Sequence, residues 1–315
     1  MRLEEFLEIR RNLRRFSDFG RYNYPRGSLF GILSQKRVDF VKRNYHRFSS
    51  RLKEIEEEWR RKKRFPKWLR LPPVLRLKLL MKSLGFSDRE IGVHFRNPEK
   101  SEFGEMIWKA VYTDYLYSPV AVGIQAARGR IGELMIRDFL EAKNIEFKDE
   151  GMLRPAKKTP DFYIEDGLEI EGKKIRWIES KALFGDPNTH RIYSKKQYEP
   201  YTKIYGEGLV IYWLGKIENL DSSVSLKDHS FIPHKAKTFL LEMKVFFADK
   251  RAEDVAGLFN AVVWEWNSEE VYSKKFLDEL LDLFHEVRGN VVVTNYNRGL
   301  KRVLRNMGFE ILTFP

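Results

Sequence analysis

The stretch that most constrains this chain is an apolar run with an acid and a lysine set two residues apart inside it, Ile175-Arg176-Trp177-Ile178-Glu179-Ser180-Lys181-Ala182. Eight residues rich in β-branched and aromatic side chains read as a strand. Side chains alternate along a strand, so Glu179 and Lys181 share one face, about 7 Å apart, and Ile178 and Ser180 share the other. With seventeen residues between Asp161 and Glu179, Thr159-Pro160-Asp161 opens another short strand segment, 161–164. Asp161 can approach the same point from the neighbouring strand. Two carboxylates converging this way make a hard-oxygen site suited to Mg2+ or Mn2+, with the Ser180 backbone carbonyl as a further ligand.

Two helices flank this pair. Residues 131–142 carry apolar residues at helical spacing, and Glu133 on that helix offers a third acid. After the strand, a helix over 194–205 carries Gln197 and Tyr201, four residues apart and on one face, with Lys195 and Lys196 just before them. Each piece has an ordinary explanation. A Glu-x-Lys pair on a strand is commonly a surface ion pair, Glu133 a solvated helix residue, and Gln197 and Tyr201 a polar edge and a core ring. The ordered combination is much rarer. The loop Phe184-Gly185-Asp186 and His190 follow the strand directly, which favours His190 as a substrate contact over a structural histidine. Further strands are expected at 146–148 and 208–214, so helices and strands alternate as in an α/β sheet.

The ordered set resembles the PD-(D/E)xK nuclease superfamily, with a QxxxY element similar to RecB-type nucleases. More closely, TPDF, WIESKALFGD, the following His190 and GLVIYWLG look like the codanin-interacting nuclease family, also called the TPD-motif family, which occurs in eukaryotes and archaea; this chain resembles an archaeal-type member. The resemblance runs from about residue 129 to 220. It implies a restriction-endonuclease-like domain with Asp161, Glu179 and Lys181 as the catalytic core, supported by Glu133 and Gln197. The implied metal ligands are Asp161, Glu179, the Ser180 carbonyl and Glu133. More loosely, it implies paired helix-turn-helix units nearer the N-terminus.

Charge distribution points the same way. The net charge is +13, but residues 1–80 hold 23 lysines and arginines against 9 acids, a net +14, so the whole excess lies in the first quarter. Cations that neutralise phosphates release counterions and gain free energy, so nucleic acid, DNA before RNA, is the expected partner. The densest run, Arg60-Arg61-Lys62-Lys63-Arg64, also has a structural explanation, because cations in a last helical turn complement the helix dipole. Helical spacing marks residues 2–16 and 28–64. A further helix over 74–84 stops at Gly85, and Ser87-Asp88-Arg89-Glu90 has capping-box spacing. That helix–turn–helix pattern makes Arg89, His94 and Arg96 candidate DNA contacts, and an ordinary helical hairpin fits the local pattern equally well. A helix over 102–117 then closes at Ser118-Pro119.

Three units are therefore expected: a basic all-α, helix-turn-helix-like region over 1–118, an α/β nuclease-like domain over 119–235, and a small α/β accessory domain over 236–315. In the third, strands are expected at 244–248, 261–266, 290–294 and 310–314, and helices at 252–259, 274–286 and 298–307. With 11 basic and 12 acidic residues it has no electrostatic reason to hold phosphate, and a role as a brace or as a homodimer interface follows. The absence of cysteine excludes disulfides, thiolate nucleophiles and cysteine-bound zinc. Together with the absence of a long uncharged apolar stretch or a signal-like N-terminus, it favours a cytoplasmic setting and no membrane partner. One-third charged residues with glutamine only at 35, 125 and 197 hint at a thermophile.

Overall fold

The computed structural model describes residues 1–234 and 236–243, together with the short strands Phe246–Phe247, Val262–Val263, Val291–Val293 and Glu310–Leu312. The N-terminal part is helical: α1 (Leu3–Asn12), a 3-10 turn (Phe16–Arg21), α2 (Arg26–Ser49), α3 (Leu52–Lys62), α4 (Pro73–Ser83), α5 (Asp88–Arg96) and α6 (Gly104–Thr113). The expected stop and start between α4 and α5 are present. Gly85 takes φ +98, which a side chain would resist, and the Ser87 hydroxyl accepts the Glu90 N–H while the Glu90 carboxylate accepts the Ser87 N–H.

Ser118-Pro119 acts differently from the expectation. It opens the 24-residue helix α7 (Pro119–Ala142) as well as closing the group before it. The Ser118 hydroxyl caps the Ala121 N–H at 3.1 Å, and Pro119 in the first turn has no N–H to leave unsatisfied. The apolar spacing shows only the later turns, because the first are rich in alanine and glycine.

Beyond α7 lies a mixed five-stranded sheet in spatial order β1 (Lys148–Asp149), β2 (Phe162–Ile170), β3 (Lys173–Lys181), β4 (Gly208–Tyr212) and β5 (Ser225–Asp228). Strands β1 to β3 are antiparallel and β3 to β5 parallel. A two-residue turn joins β2 to β3, with Glu171 at φ 53 and Gly172 at φ 74; two positive φ values match the right-handed twist of a hairpin. A short α8 (Glu150–Leu153) links β1 to β2. Between β3 and β4 the chain crosses over through α9 (Pro187–Tyr193), one π-helical turn (Ser194–Tyr198) and α10 (Glu199–Tyr205).

Both faces of the sheet are covered. Ile178, Leu209, Ile211 and Trp213 pack on the side of α7 and the N-terminal helices. Trp177, Val210 and Tyr212 pack on the other side with Tyr198 and Tyr201. Every residue of β4 is accordingly buried, as expected of a central parallel strand. The first core runs without interruption from Phe6 to Met243, so the basic helices and the sheet share it. A side chain at Gly27 would collide with the carbonyl of Leu240 in α11 (Lys237–Glu242), and one at Gly31 would crowd Phe184 and Leu214.

The four remaining strands, β6 (Phe246–Phe247), β7 (Val262–Val263), β8 (Val291–Val293) and β9 (Glu310–Leu312), pair in parallel in the order β7-β6-β8-β9. Each falls within an expected strand. The expected helices over 252–259, 274–286 and 298–307 lie outside the described residues.

The approach of α7 to the sheet gives a direct test. At Gly132 a Cβ would stand 2.5 Å from Trp213 Nε1 and 2.6 Å from Ser180 Oγ, whereas at Gly129, one turn earlier, it would meet nothing within 4 Å. Gly132→Ala should lower unfolding free energy by about 1–3 kcal/mol through overpacking. Gly129→Ala should raise it by about 0.5–1 kcal/mol through helix propensity. Urea titration of both variants measures this, and equal effects would contradict the packing described.

Candidate active site

The site grows out of the β2–β3 register. Phe162 pairs with Ile178, so Asp161, one residue before β2, stands opposite Glu179. The Ser180 N–H donates to Asp161 Oδ2 at 2.7 Å, and the Asp161 N–H donates to Glu179 Oε2 at 3.3 Å. Glu179 and Lys181 share a face as the alternation requires, and the Lys181 ammonium donates to Glu179 Oε1. Ser180 points the other way, where its hydroxyl accepts the Trp213 indole N–H at 2.8 Å. Because a strand residue's N–H and C=O lie on the same edge, the Ser180 carbonyl faces Asp161.

Burial sets the electrostatics. Glu179 is 2% exposed and Lys181 9%. Loss of hydration, and next the neighbouring Asp161 charge, push the Glu179 carboxyl up to about 7 against the opposing pull of Lys181. Burial also raises Asp161, opposed by Lys181 and the Ser180 N–H. Glu133 on α7 reaches the same charge field. Desolvation, then Asp161, then Glu150 raise it to about 7, although it keeps enough exposed surface for solvent to screen it. Glu150 is a member that the sequence reading missed. Its only signal was an acid pair, Asp149-Glu150, between the helix and the Asp161 strand. Asp149 is consumed locally, capping Met152 and pairing with Arg137 at 3.0 Å, which leaves Glu150 as the acid that acts on Asp161.

Gln197 and Tyr201 close the site from the crossover. Gln197 lies in the π-helical turn rather than in a regular α-helix, and its side chain lowers the proton affinity of the neighbouring Tyr201 hydroxyl. Burial of Tyr201, and next the charges of Glu179 and Asp161, hold its hydroxyl proton on more firmly. The Gln197 amide oxygen is buried without a hydrogen-bond partner. Tyr193 stands over Lys181, its ring centre 4.8 Å from the ammonium.

Asp161, Glu179 and Glu133 are the acids that could hold a cation, with the Ser180 carbonyl and Gln197 Oε1 as neutral donors. Among the described residues no three such side chains converge into a ready-made coordination cluster, and both Glu179 oxygens already accept hydrogen bonds. The set fits a hard divalent cation in donor type and in charge: carboxylates that repel one another, and an orphaned amide oxygen beside them. Coordination would require Glu179 to exchange a hydrogen bond for the ion.

Other expected contacts sit elsewhere. The His190 ring is buried, with Nδ1 2.9 Å from the Tyr212 hydroxyl and Nε2 3.2 Å from Ser194 Oγ, so both ring nitrogens are engaged within the crossover. The Asp186 loop before it is clamped by Gln35 of α2, whose amide donates to Phe184 O at 2.9 Å and Asp186 Oδ2 at 2.7 Å. Lys195 and Lys196 are exposed on the π turn. In the basic run on α3, Arg60 pairs with Glu56, and Arg61, Lys62 and Arg64 crowd around Glu58, while Lys63 ends the helix at φ 49. Much of that run's charge is thus answered within the helix. On α5, Arg89 and Arg96 are exposed, but His94 turns inward to Ser101 Oγ at 2.7 Å, edge-on to Phe86 and Phe103.

A buried acid–acid–lysine constellation at adjoining strand ends of a mixed α/β sheet is the class of protein that this geometry defines. Residues 99–233 match the family described as "Protein of unknown function TPD sequence-motif", and Thr159-Pro160-Asp161 lies inside that match. The relatives are named CDAN1-interacting nuclease 1. The Homo sapiens protein is 42% identical over 117 residues, 36% of this chain and 42% of that protein. The Bos taurus protein is 39% and the Mus musculus protein 42% identical over 140 residues, 43% of this chain and 50% of each relative. The chain therefore spans about half the length of the curated relatives it matches. No solved structure matches it. Among the described residues no helix is long and apolar enough to cross a membrane.

The raised Glu179 pKa has a consequence for stability without added cation. Below about pH 4.5, folded and unfolded chains both hold this proton. Between 4.5 and about 7 the folded chain keeps it while the unfolded chain releases it, so this carboxyl makes stability fall as pH rises across that window and level off above it. Denaturant melts of chelator-treated wild type and Glu179→Gln should show the wild type losing ground to the variant from pH 5 to 7. A constant difference between the two would contradict the assignment.

Proposed function

We propose that the chain is a Mg2+- or Mn2+-dependent nuclease of the PD-(D/E)xK type that hydrolyses phosphodiester bonds of DNA. The observation that carries this reading is the convergence of Asp161, Glu179 and Lys181 across the β2–β3 register in a segment related to proteins named as nucleases. A phosphodiester is anionic and repels nucleophiles. A bound divalent cation would neutralise a non-bridging oxygen and lower the pKa of water. In this reading Asp161 and Glu179 would hold the ion with the Ser180 carbonyl, and Glu133 would support it from α7. The Lys181 ammonium orients the attacking water and offsets the negative charge that builds on the phosphoryl oxygens. A water oxygen bonds to phosphorus, its proton leaves to a site carboxylate, and the P–O ester bond breaks as the leaving oxygen takes up a proton. Gln197 and Tyr201 fix the position of the phosphate or of the Glu179 carboxylate.

The exposed cations of residues 1–80, with Arg89 and Arg96 on α5, supply the phosphate-binding surface in this account. Because those helices share the sheet's core, their cations sit at a set position relative to the site. A second reading comes from the relatives' name: a nuclease fold acting as a protein-interaction module with little catalysis. It predicts a partner protein and no cation-dependent cleavage.

Incubation with Mg2+ or Mn2+ and a panel of single-stranded, duplex, flap and junction substrates, in DNA and in RNA, tests the proposal. Wild type should cleave DNA in a cation-dependent manner. Asp161→Ala and Glu179→Ala should fall to background with far-UV circular dichroism intact. Gln197→Ala should lose about 10–100-fold, as expected of a group that orients a ligand. Wild-type cleavage by Asp161→Ala would overturn the assignment, and cleavage of RNA alone would change the substrate class.

A further inference from the structure

A cavity of about 410 Å3 opens between α2, α7 and α9. Its wall includes Ala182 and Leu183, the two residues that follow Lys181, and the Tyr193 ring that stands over the Lys181 ammonium. The Tyr193 ring therefore belongs both to the cavity wall and to the surroundings of Lys181.

The lining is cationic. Lys42 from α2, Arg128 from α7 and Lys196 from the π turn all border it. The carboxylate at its edge, Asp39, is engaged by Arg10 at 2.6 Å. Arg128 is buried with its guanidinium 4.7 Å from the Phe30 ring centre, which presents a positive charge in a poorly hydrated setting, where it is strongest. One further atom lacks an account: Ser34 Oγ, on the α2 wall, is buried with no hydrogen-bond partner. Apolar surface from Leu116 and Leu214 completes the lining. A space of this size suits a small ligand rather than a bare ion. Cations, a spare hydroxyl and flat apolar walls match a phosphate joined to a ring.

We propose that this cavity binds the nucleotide next to the scissile phosphate, its phosphodiester held by Lys42, Arg128 and Lys196 with a hydrogen bond from Ser34. The inference rests on the nuclease reading and names where the strand lies once it passes Lys181. It also gives the N-terminal helices a contact close to the reaction, through Ser34 and Lys42, apart from the general attraction of their charge.

The experiment is fluorescence anisotropy with the full chain and a short fluorescein-labelled single-stranded DNA, in chelator so that nothing is cut. The variants are Lys42→Ala/Lys196→Ala, which removes two exposed cations, and Ser34→Leu, which fills the cavity without changing charge. The double variant should bind about tenfold more weakly, and its plot of log affinity against log salt should flatten by about 0.7 per lysine. Ser34→Leu should weaken binding with the salt slope unchanged and the melting temperature retained. Wild-type affinity in the double variant, or in a folded Ser34→Leu, would overturn the cavity assignment; if Ser34→Leu does not fold, the double variant decides. Cleavage assays with Mg2+ separate the two proposals. Cavity variants that lose binding while the wild type cuts nothing would sink the nuclease reading and keep the cavity. Cavity variants that bind and cut like wild type would do the reverse.

Discussion

Glu179 is a carboxylate almost wholly removed from water, at a point where Asp161 brings a second one. Burying such a charge costs several kcal/mol unless a partner compensates it. Lys181 and the N–H groups of Asp161 and Ser180 supply one ammonium and two dipoles, which do not offset the burial of two acids, and the affinity of Glu179 for a proton rises accordingly. The surrounding elements hold this imbalance in place. The hairpin register fixes Asp161 against Glu179, the crossover lays Tyr193, Gln197 and Tyr201 over the pair, and α7 brings Glu133 to the rim. A site with surplus negative charge and restricted water attracts either a proton or a hard cation, and the nuclease reading depends on the cation.

The helical N-terminal part contributes more than charge. Its packing is close: a side chain at Gly27 would collide with Leu240 of α11, one at Gly31 would crowd Phe184 and Leu214, and Phe6 stacks on Phe184 at 5.6 Å. Gln35 reaches across to fasten the loop that leaves the Lys181 strand. The cations of α2 therefore keep a set distance from the acids, which in the nuclease reading would place one phosphate of a bound polyanion at the site.

Much of this was legible in the primary structure because strand alternation is a strict rule. Glu179 and Lys181 could share a face only if 175–182 was extended, and the capping box at Ser87 and the glycine stop at Gly85 announced their turns equally directly. Three things were not legible. The long α7 begins in a segment too poor in large apolar residues to show helical spacing, so its start was placed twelve residues late. His190 follows the site strand in sequence, but its burial depends on Tyr212 and Ser194, and the pairing with Tyr212 spans 22 residues that no local pattern reports. Glu150 is ordinary in sequence and becomes part of the site only because α8 sets it in the field of Asp161. In each case the missing information was a tertiary neighbour, whereas the correct expectations concerned side chains whose placement the backbone alone decides.

The central claim is that the Asp161–Glu179 pair exchanges a proton for a divalent cation. Calorimetric titration of Mn2+ into the full chain at pH 6, repeated in buffers of different ionisation enthalpy, measures both binding and the protons that binding releases. The account predicts saturable binding with net proton release, and loss of both in Asp161→Asn. Binding that is absent in the wild type, or that persists unchanged in Asp161→Asn, would contradict it.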